Sequence, residues 1–160
     1  MKRLLLIFAV CLTTLSAIAG ARVTIDGIEF DYTYTLHLES SGTSRLKAEV
    51  IVVNGKSKKG EVEIPSSIVV DDGLKLYVTK IGQYAFDGNK DITKVTIPGC
   101  IMIIDGGAFR DCSSLETVDI EPQTGYSHVF LGQDFEFHGL TYIHGGAFSG
   151  CTKLKNINLP

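Results

Sequence analysis

Apolar and polar positions alternate strictly in three short stretches of the C-terminal half: Val95-Thr-Ile97, Val118-Asp-Ile120 and Ile157-Asn-Leu159. That is the period of a half-buried strand. Each stretch is preceded by one recurring phrase, at Ile81–Phe86, Ile104–Phe109 and Ile143–Phe148. Phe86, Phe109 and Phe148 are equivalent positions, as are Ile92, Leu115 and Leu154, and Ile104 follows Ile81 by 23 residues. A unit this short cannot bury its own apolar face and must stack on its neighbours. The pattern predicts a β-rich α/β solenoid of stacked coils of about 23 residues that run strand, bend, short helical turn, bend. The turn falls on Ala-Phe-x-x-Cys, too short for a full helix, and Gly82, Gly106 and Gly145 supply the bends. Pro98 and Pro160 close two strands, since proline lacks the next N–H donor.

Stacking assigns the repeated residues to the core. A buried phenylalanine contributes about 1.5–3 kcal/mol, so the Phe86–Phe109–Phe148 ladder is a substantial term. Alanine precedes each, where a larger side chain would meet the neighbouring coil. Cys112 and Cys151 each follow their phenylalanine by three positions and fall in one column. Coils about 4.8 Å apart hold parallel Cβ atoms beyond the ~3.8 Å that a disulfide prefers. Cys100, Cys112 and Cys151 are therefore expected as free thiols packing as small hydrophobes.

Upstream the pattern is different. Val23–Phe30 reads as a strand broken by an Asp26-Gly27 turn. Ala48–Val53, Asn54-Gly55 and Glu61–Ile64 suggest a hairpin, because Asn-Gly suits a primed turn. Leu74–Val78 reads as a strand leading into the first full coil, and the Val62-Glu-Ile64 triplet before Pro65 matches the repeat strand. Residues 20–60 are thus expected as a β-rich cap on a solenoid spanning 61–160. Residues 1–19 read as a cleaved secretory leader: Lys2 and Arg3, an apolar run from Leu4 to Leu15, then Ala17-Ile-Ala19. The run is shorter than the ~20 residues of a membrane span.

Charge and candidate chemistry narrow the function. Without residues 1–19 the chain keeps 13 basic and 18 acidic side chains, a net −5. Such a chain offers no electrostatic footprint for nucleic acid. His37, His128, His138 and His144 have no metal-ligand spacing. No nucleophile elbow or phosphate loop occurs, so neither catalytic residues nor a cofactor are expected. The repeat is interrupted at 122–142 by a Gly-rich, aromatic insertion carrying Tyr126, His128, Phe130, Phe135, Phe137 and Tyr142. Insertions of this kind emerge on one side and often make contacts. Asp134–His138 equally suits a hairpin strand covering the core. Contacts with a partner are expected from this insertion and from the polar strand positions Thr96, Asp119 and Asn158. Ile157 and Leu159 lie at an expected open strand edge, available for self-association.

The run Val-x-Ile-Pro, Ile-Gly-x-x-Ala-Phe, Cys-x-x-Leu-x-x-Val resembles the BspA-like leucine-rich repeat over residues 61–160. Asp26-Gly-Ile-Glu-Phe30 resembles the usual opening of such chains. Asn89 for Cys, Asp105 and His144 for Gly, and Glu121 for Pro depart from the pattern locally. The resemblance implies a non-enzymatic, secreted or surface-associated binding solenoid. Adhesion to host or bacterial surface proteins is its best-known role. Separately, an exposed aromatic loop at 122–142 would suit contact with protein or glycan. The alternative expectation is an assembly subunit joined through its C-terminal edge.

Overall fold

The computed structural model describes residues 18–38, 44–70, 73–124, 127–130, 133–136 and 138–160. The expected leader lies outside these up to residue 17. The chain is strand-rich. Three N-terminal strands, β1 (Ile18–Ile25), β2 (Ile28–Leu38) and β3 (Ser44–Asn54), pair antiparallel in succession. Asp26 and Gly27 both adopt left-handed φ (49° and 75°) in the turn joining β1 to β2. After β3 come β4 (Gly60–Glu63), the antiparallel pair β5 (Ser67–Val70) and β6 (Leu74–Tyr77), and the two-residue β7 (Lys80–Ile81). The repeats then alternate β8 (Ile92–Ile97), β9 (Ile103–Ile104) and β10 (Thr117–Ile120). The insertion forms β11 (Ser127–Phe130) and β12 (Gln133–Glu136), followed by β13 (Tyr142–Ile143) and β14 (Asn156–Asn158).

Two sheets enclose one core. The first has order β1-β2-β3-β7-β9-β13, antiparallel through the N-terminal strands and parallel afterwards. The second is parallel throughout, in the order β14-β10-β8-β4. Ile81 pairs with Ile104 and Ile104 with Ile143, while Val95 pairs with Val118 and Val118 with Ile157. These are the positions that the sequence repeat made equivalent. Between the sheets Phe86 stacks on Phe109 at 4.9 Å and Phe109 on Phe148 at 5.3 Å between ring centroids. Ile28, Phe30, Val50 and Val52 of the N-terminal strands belong to the same buried cluster.

Three local expectations are corrected. Ala48–Val53 and Glu61–Ile64 do not form a hairpin with each other. The first lies in β3, between β2 and β7, and the second in β4, beside β8. The Asn54-Gly55 bend instead carries the chain from one sheet to the other, with Gly55 N–H donating to Ala85 O at 2.8 Å. The Ala-Phe segments are not helical turns. They are built of consecutive i→i+3 bonds such as Ala85 N–H to Gly82 O and Asn89 N–H to Phe86 O. Left-handed residues interrupt them at Tyr84 (φ 58°) and Gly88 (φ 72°), and in the next repeat at Gly107 (φ 66°) and Asp111 (φ 56°). A right-handed helical turn cannot contain such a residue. The bend thus turns on positions 84, 107 and 146 rather than on Gly82. Gly82 is required for another reason, since a Cβ there would stand 2.8 Å from Val52 O.

Candidate functional site

The outward positions of the parallel sheet form its accessible face. In β8 and β10 the side chains of Val95, Ile97, Val118 and Ile120 are buried, leaving Lys94, Thr96, Thr117 and Asp119 on the other side. Parallel pairing aligns Glu63, Thr96, Asp119 and Asn158 in one row across four strands. Glu61, Lys94, Thr117 and Asn156 form the adjacent row. The three strand positions expected as contacts are therefore brought together. Sequence reasoning missed Glu63 and Lys94, although the Val62-Glu-Ile64 triplet carried the signal for the first.

Charge on this face is organised around Asp119. Lys94 Nζ lies 2.7 Å from its Oδ2, and Asn158 Nδ2 donates to its Oδ1. The Lys94 ammonium, then the Asn158 amide, hold the Asp119 carboxyl below its ordinary range, while Asp119 raises Lys94. Glu61 and Glu63 are exposed at the β4 end of the sheet, so the face is acidic there. Lys155 reaches Glu116 at 2.8 Å along the lower rim.

The insertion is a two-stranded hairpin. His128 opposes Phe135, and Phe130 opposes Gln133. Tyr126 and Phe137 lie outside the described residues. His138 and His144 are exposed. Among the described residues, no group of three or more His, Cys, Asp or Glu side chains converges as a metal site would.

The column behind the phenylalanines is polar and structural. Cys112 Sγ donates to Phe86 O at 3.1 Å, and Cys151 Sγ to Phe109 O at 3.0 Å. Cys100 Sγ donates to Ser66 O at 3.3 Å, and all three thiols are free. Burial pushes the Cys100 thiol up to about 12. The neighbouring Cys151 thiol, together with burial, holds Cys112 well above the ordinary range. Cys100 and Cys112 are thus held as protonated donors rather than nucleophiles, while the hydrogen bond with Cys112 lowers the Cys151 thiol. Asn89 occupies the cysteine position of the first repeat and is 5% exposed. Its Nδ2 donates to Lys56 O and Lys58 O, at 3.1 and 2.8 Å, and its Oδ1 accepts from Asp91 N–H at 2.8 Å. The bend at 55–59 presents several carbonyls at once. An amide reaches them where a single S–H donor could not.

On the turn side, Arg110 forks onto Asp87 at 2.7 and 3.1 Å and lies over the Tyr84 ring, 4.7 Å from its centroid. The fork lowers the Asp87 carboxyl and raises Arg110. Tyr84 is 41% exposed.

Paired parallel rows, a stacked aromatic ladder and a near-absence of helix among the described residues define a strand-rich repeat protein. The BspA type leucine-rich repeat region matches the chain in six copies, over residues 73–137 and 131–160. The chain belongs to that family. Its members are generally binding modules rather than enzymes. A leucine-rich repeat protein of Bacteroides ovatus is 28% identical with a TM-score of 0.53, over 86% of this chain. The chain spans 29% of that protein's length. A leucine-rich repeat protein of Bacteroides capillosus is 26% identical over 62% of this chain and 65% of its own, with a TM-score of 0.47. A leucine-rich cell surface protein of Faecalibacterium prausnitzii is 24% identical over 63% of this chain and 24% of its own, with a TM-score of 0.41. No curated protein matches the chain. Among the described residues no helix is long and apolar enough to cross a membrane.

Proposed function

We propose that this chain is a secreted or surface-associated solenoid of about 23-residue coils that binds a protein partner through its parallel strand face. The observation carrying this reading is the row Glu63–Thr96–Asp119–Asn158, where register aligns polar side chains over a rigid, buried ladder. Side chains on such a scaffold lose little further freedom on binding. The insertion at 122–142, with Tyr126, His128, Phe130, Phe135 and Phe137, flanks the repeats and adds a second contact element. Adhesion to host or bacterial surface proteins is the proposed role, and residues 1–19 the proposed export signal.

The test is capture on immobilised matrix and bacterial surface proteins, comparing wild type with Thr96→Arg/Asp119→Arg and with a chain shortened across 122–142. Loss of capture with an unchanged melting transition supports the reading. Equal capture by all three would sink it. Protease shaving of intact cells places the chain: surface release favours adhesion, and protection until the outer membrane is opened favours a periplasmic role.

A second reading, assembly through the last repeat, rests on Tyr142, Ile143, Ile157 and Leu159, which are 60%, 46%, 41% and 64% exposed. Concentration-dependent oligomers abolished by Ile157→Lys/Leu159→Lys would support it. A strict monomer at high concentration would remove it.

A further inference from the structure

We propose that a cavity where the N-terminal strands meet the first full repeat binds a neutral sugar ring. The cavity, about 310 Å³, is lined chiefly by Arg22, Glu29, Asn54, Lys56, Gln83 and Tyr84. That volume falls at the small end of ligand sites and suits a single saccharide unit.

Tyr84 is the anomaly that points to it. The equivalent positions in the later repeats are Gly107 and Gly146, both left-handed at 66° and 72°. Tyrosine holds the same conformation at 58°, a costly one for a bulky side chain. Strain of this kind persists where the surroundings impose it, and it clusters at ligand sites. Gly107 and Arg110 lie against the ring, yet neither lines the cavity. Tyr84 itself lines the cavity, and in this proposal the part of its ring not covered by Arg110 and Gly107 is the platform for the apolar C–H face of a sugar.

The polar groups around the ring both donate and accept. Gln83 is exposed, and its amide has no partner among the described residues. Asn54 Oδ1 accepts from Lys56 N–H at 3.1 Å, leaving the Asn54 NH₂ to donate. Glu29 meets Arg22 Nη1 only at 3.6 Å and keeps acceptor capacity. Arg22 is held by Asp31 through Nε and Nη2, at 2.6 and 2.9 Å, so it presents little free charge. Vicinal hydroxyls match this mixture of donors and acceptors; the lining cations are Arg22, already paired with Asp31, and Lys56, and Glu29 is the lining carboxylate. The backbones of Glu29 and Asn54 already pair across β2 and β3. The frame is rigid: Gly82 N–H bonds Val52 O at 2.8 Å and carries Gln83 and Tyr84 into place.

The experiment titrates the purified protein with the methyl glycosides of glucose, galactose, mannose and N-acetylglucosamine. It follows the Asn54 and Gln83 side-chain amide resonances, with a sialic acid glycoside as the anionic comparison. The expected result is saturable shifts with at least one neutral glycoside, weakened about tenfold or more by Tyr84→Gly and by Gln83→Ala. Tyr84→Gly installs the residue that the later repeats carry, so its melting transition serves as the folding control. Should that variant fail to fold, exposed Gln83→Ala carries the test alone. Asp119→Arg on the strand face leaves sugar binding unchanged, which separates this site from the protein-binding reading. Absence of shifts with every neutral glycoside, a response only to the sialoside, or unchanged binding in Gln83→Ala would overturn the proposal.

Discussion

Replacing Gly55 by alanine drives a methyl group into Phe86. A Cβ on Gly55 would stand 2.0 Å from Phe86 Cε1, 2.5 Å from Cζ and 2.6 Å from Cδ1. Gly55 does not use a left-handed backbone, so the effect is steric. In open space, Gly→Ala would stabilise by about 0.4–1 kcal/mol through the unfolded chain. Here Phe86 is fully buried and stacked on Phe109, with Gly55 bonded to Ala85 beside it. Overpacking costs about 1–3 kcal/mol. Expelling the ring would forfeit about 1.5–3 kcal/mol of burial and about 0.5–1.5 kcal/mol of stacking. The expected net loss is roughly 2–4 kcal/mol, the opposite sign to the entropic effect. Urea unfolding, read from midpoint and slope, measures it. Gly145→Ala is the control, since nothing lies within 4 Å of its Cβ position, and it should stay within about 0.5 kcal/mol of wild type. Phe86→Leu in the Gly55→Ala background should cost less than the two single changes summed, because the smaller side chain yields the space. A Gly55→Ala protein as stable as the control would refute the packing argument.

Three further outcomes follow from the same contacts. Asn89→Ala removes the partner of several buried backbone groups and should cost about 2–4 kcal/mol at the level of ~1–3 kcal/mol per orphaned group. Asn89→Cys should recover only part of it, and urea unfolding distinguishes the two. Asp31, Asp87, Asp119 and Glu116 are each depressed first by hydrogen bonds from Arg22, Arg110, Lys94 and Lys155 respectively. Depressed carboxylates contribute stability above their unfolded pKa, 3.8 for Asp and 4.5 for Glu. That stability is lost as pH falls through the lower folded values, so urea midpoints should hold at pH 6 and fall below about pH 4. Raised salt should shrink the change, because the pairs are largely exposed. Cys100 and Cys112 should resist alkylation in the native protein at pH 8 and react on unfolding, as counted by intact mass. Rapid native labelling of Cys100 would contradict its burial.

The strand pairing of the repeats was legible from the chain because it is local. Val95, Val118 and Ile157 share an offset from their phenylalanines, and stacking identical units brings equal offsets side by side. The row Thr96–Asp119–Asn158 and the phenylalanine ladder follow from that periodicity alone. What period and propensity left open was decided by contacts between distant residues. Asn54-Gly55 is locally compatible with a tight hairpin. Only the space claimed by Phe86 and the carbonyls gathered by Asn89 make it a bend between sheets. Tyr84 gives no sign of its backbone conformation in a one-dimensional reading, and the register of the turn bonds imposes it. The cavity beside it joins residues from Arg22 to Tyr84, because β3 pairs with β2 on one side and β7 on the other. No spacing rule connects those positions. The chain's periodicity determined which residues stack, and the tertiary structure determined where the first stack meets the strands that precede it.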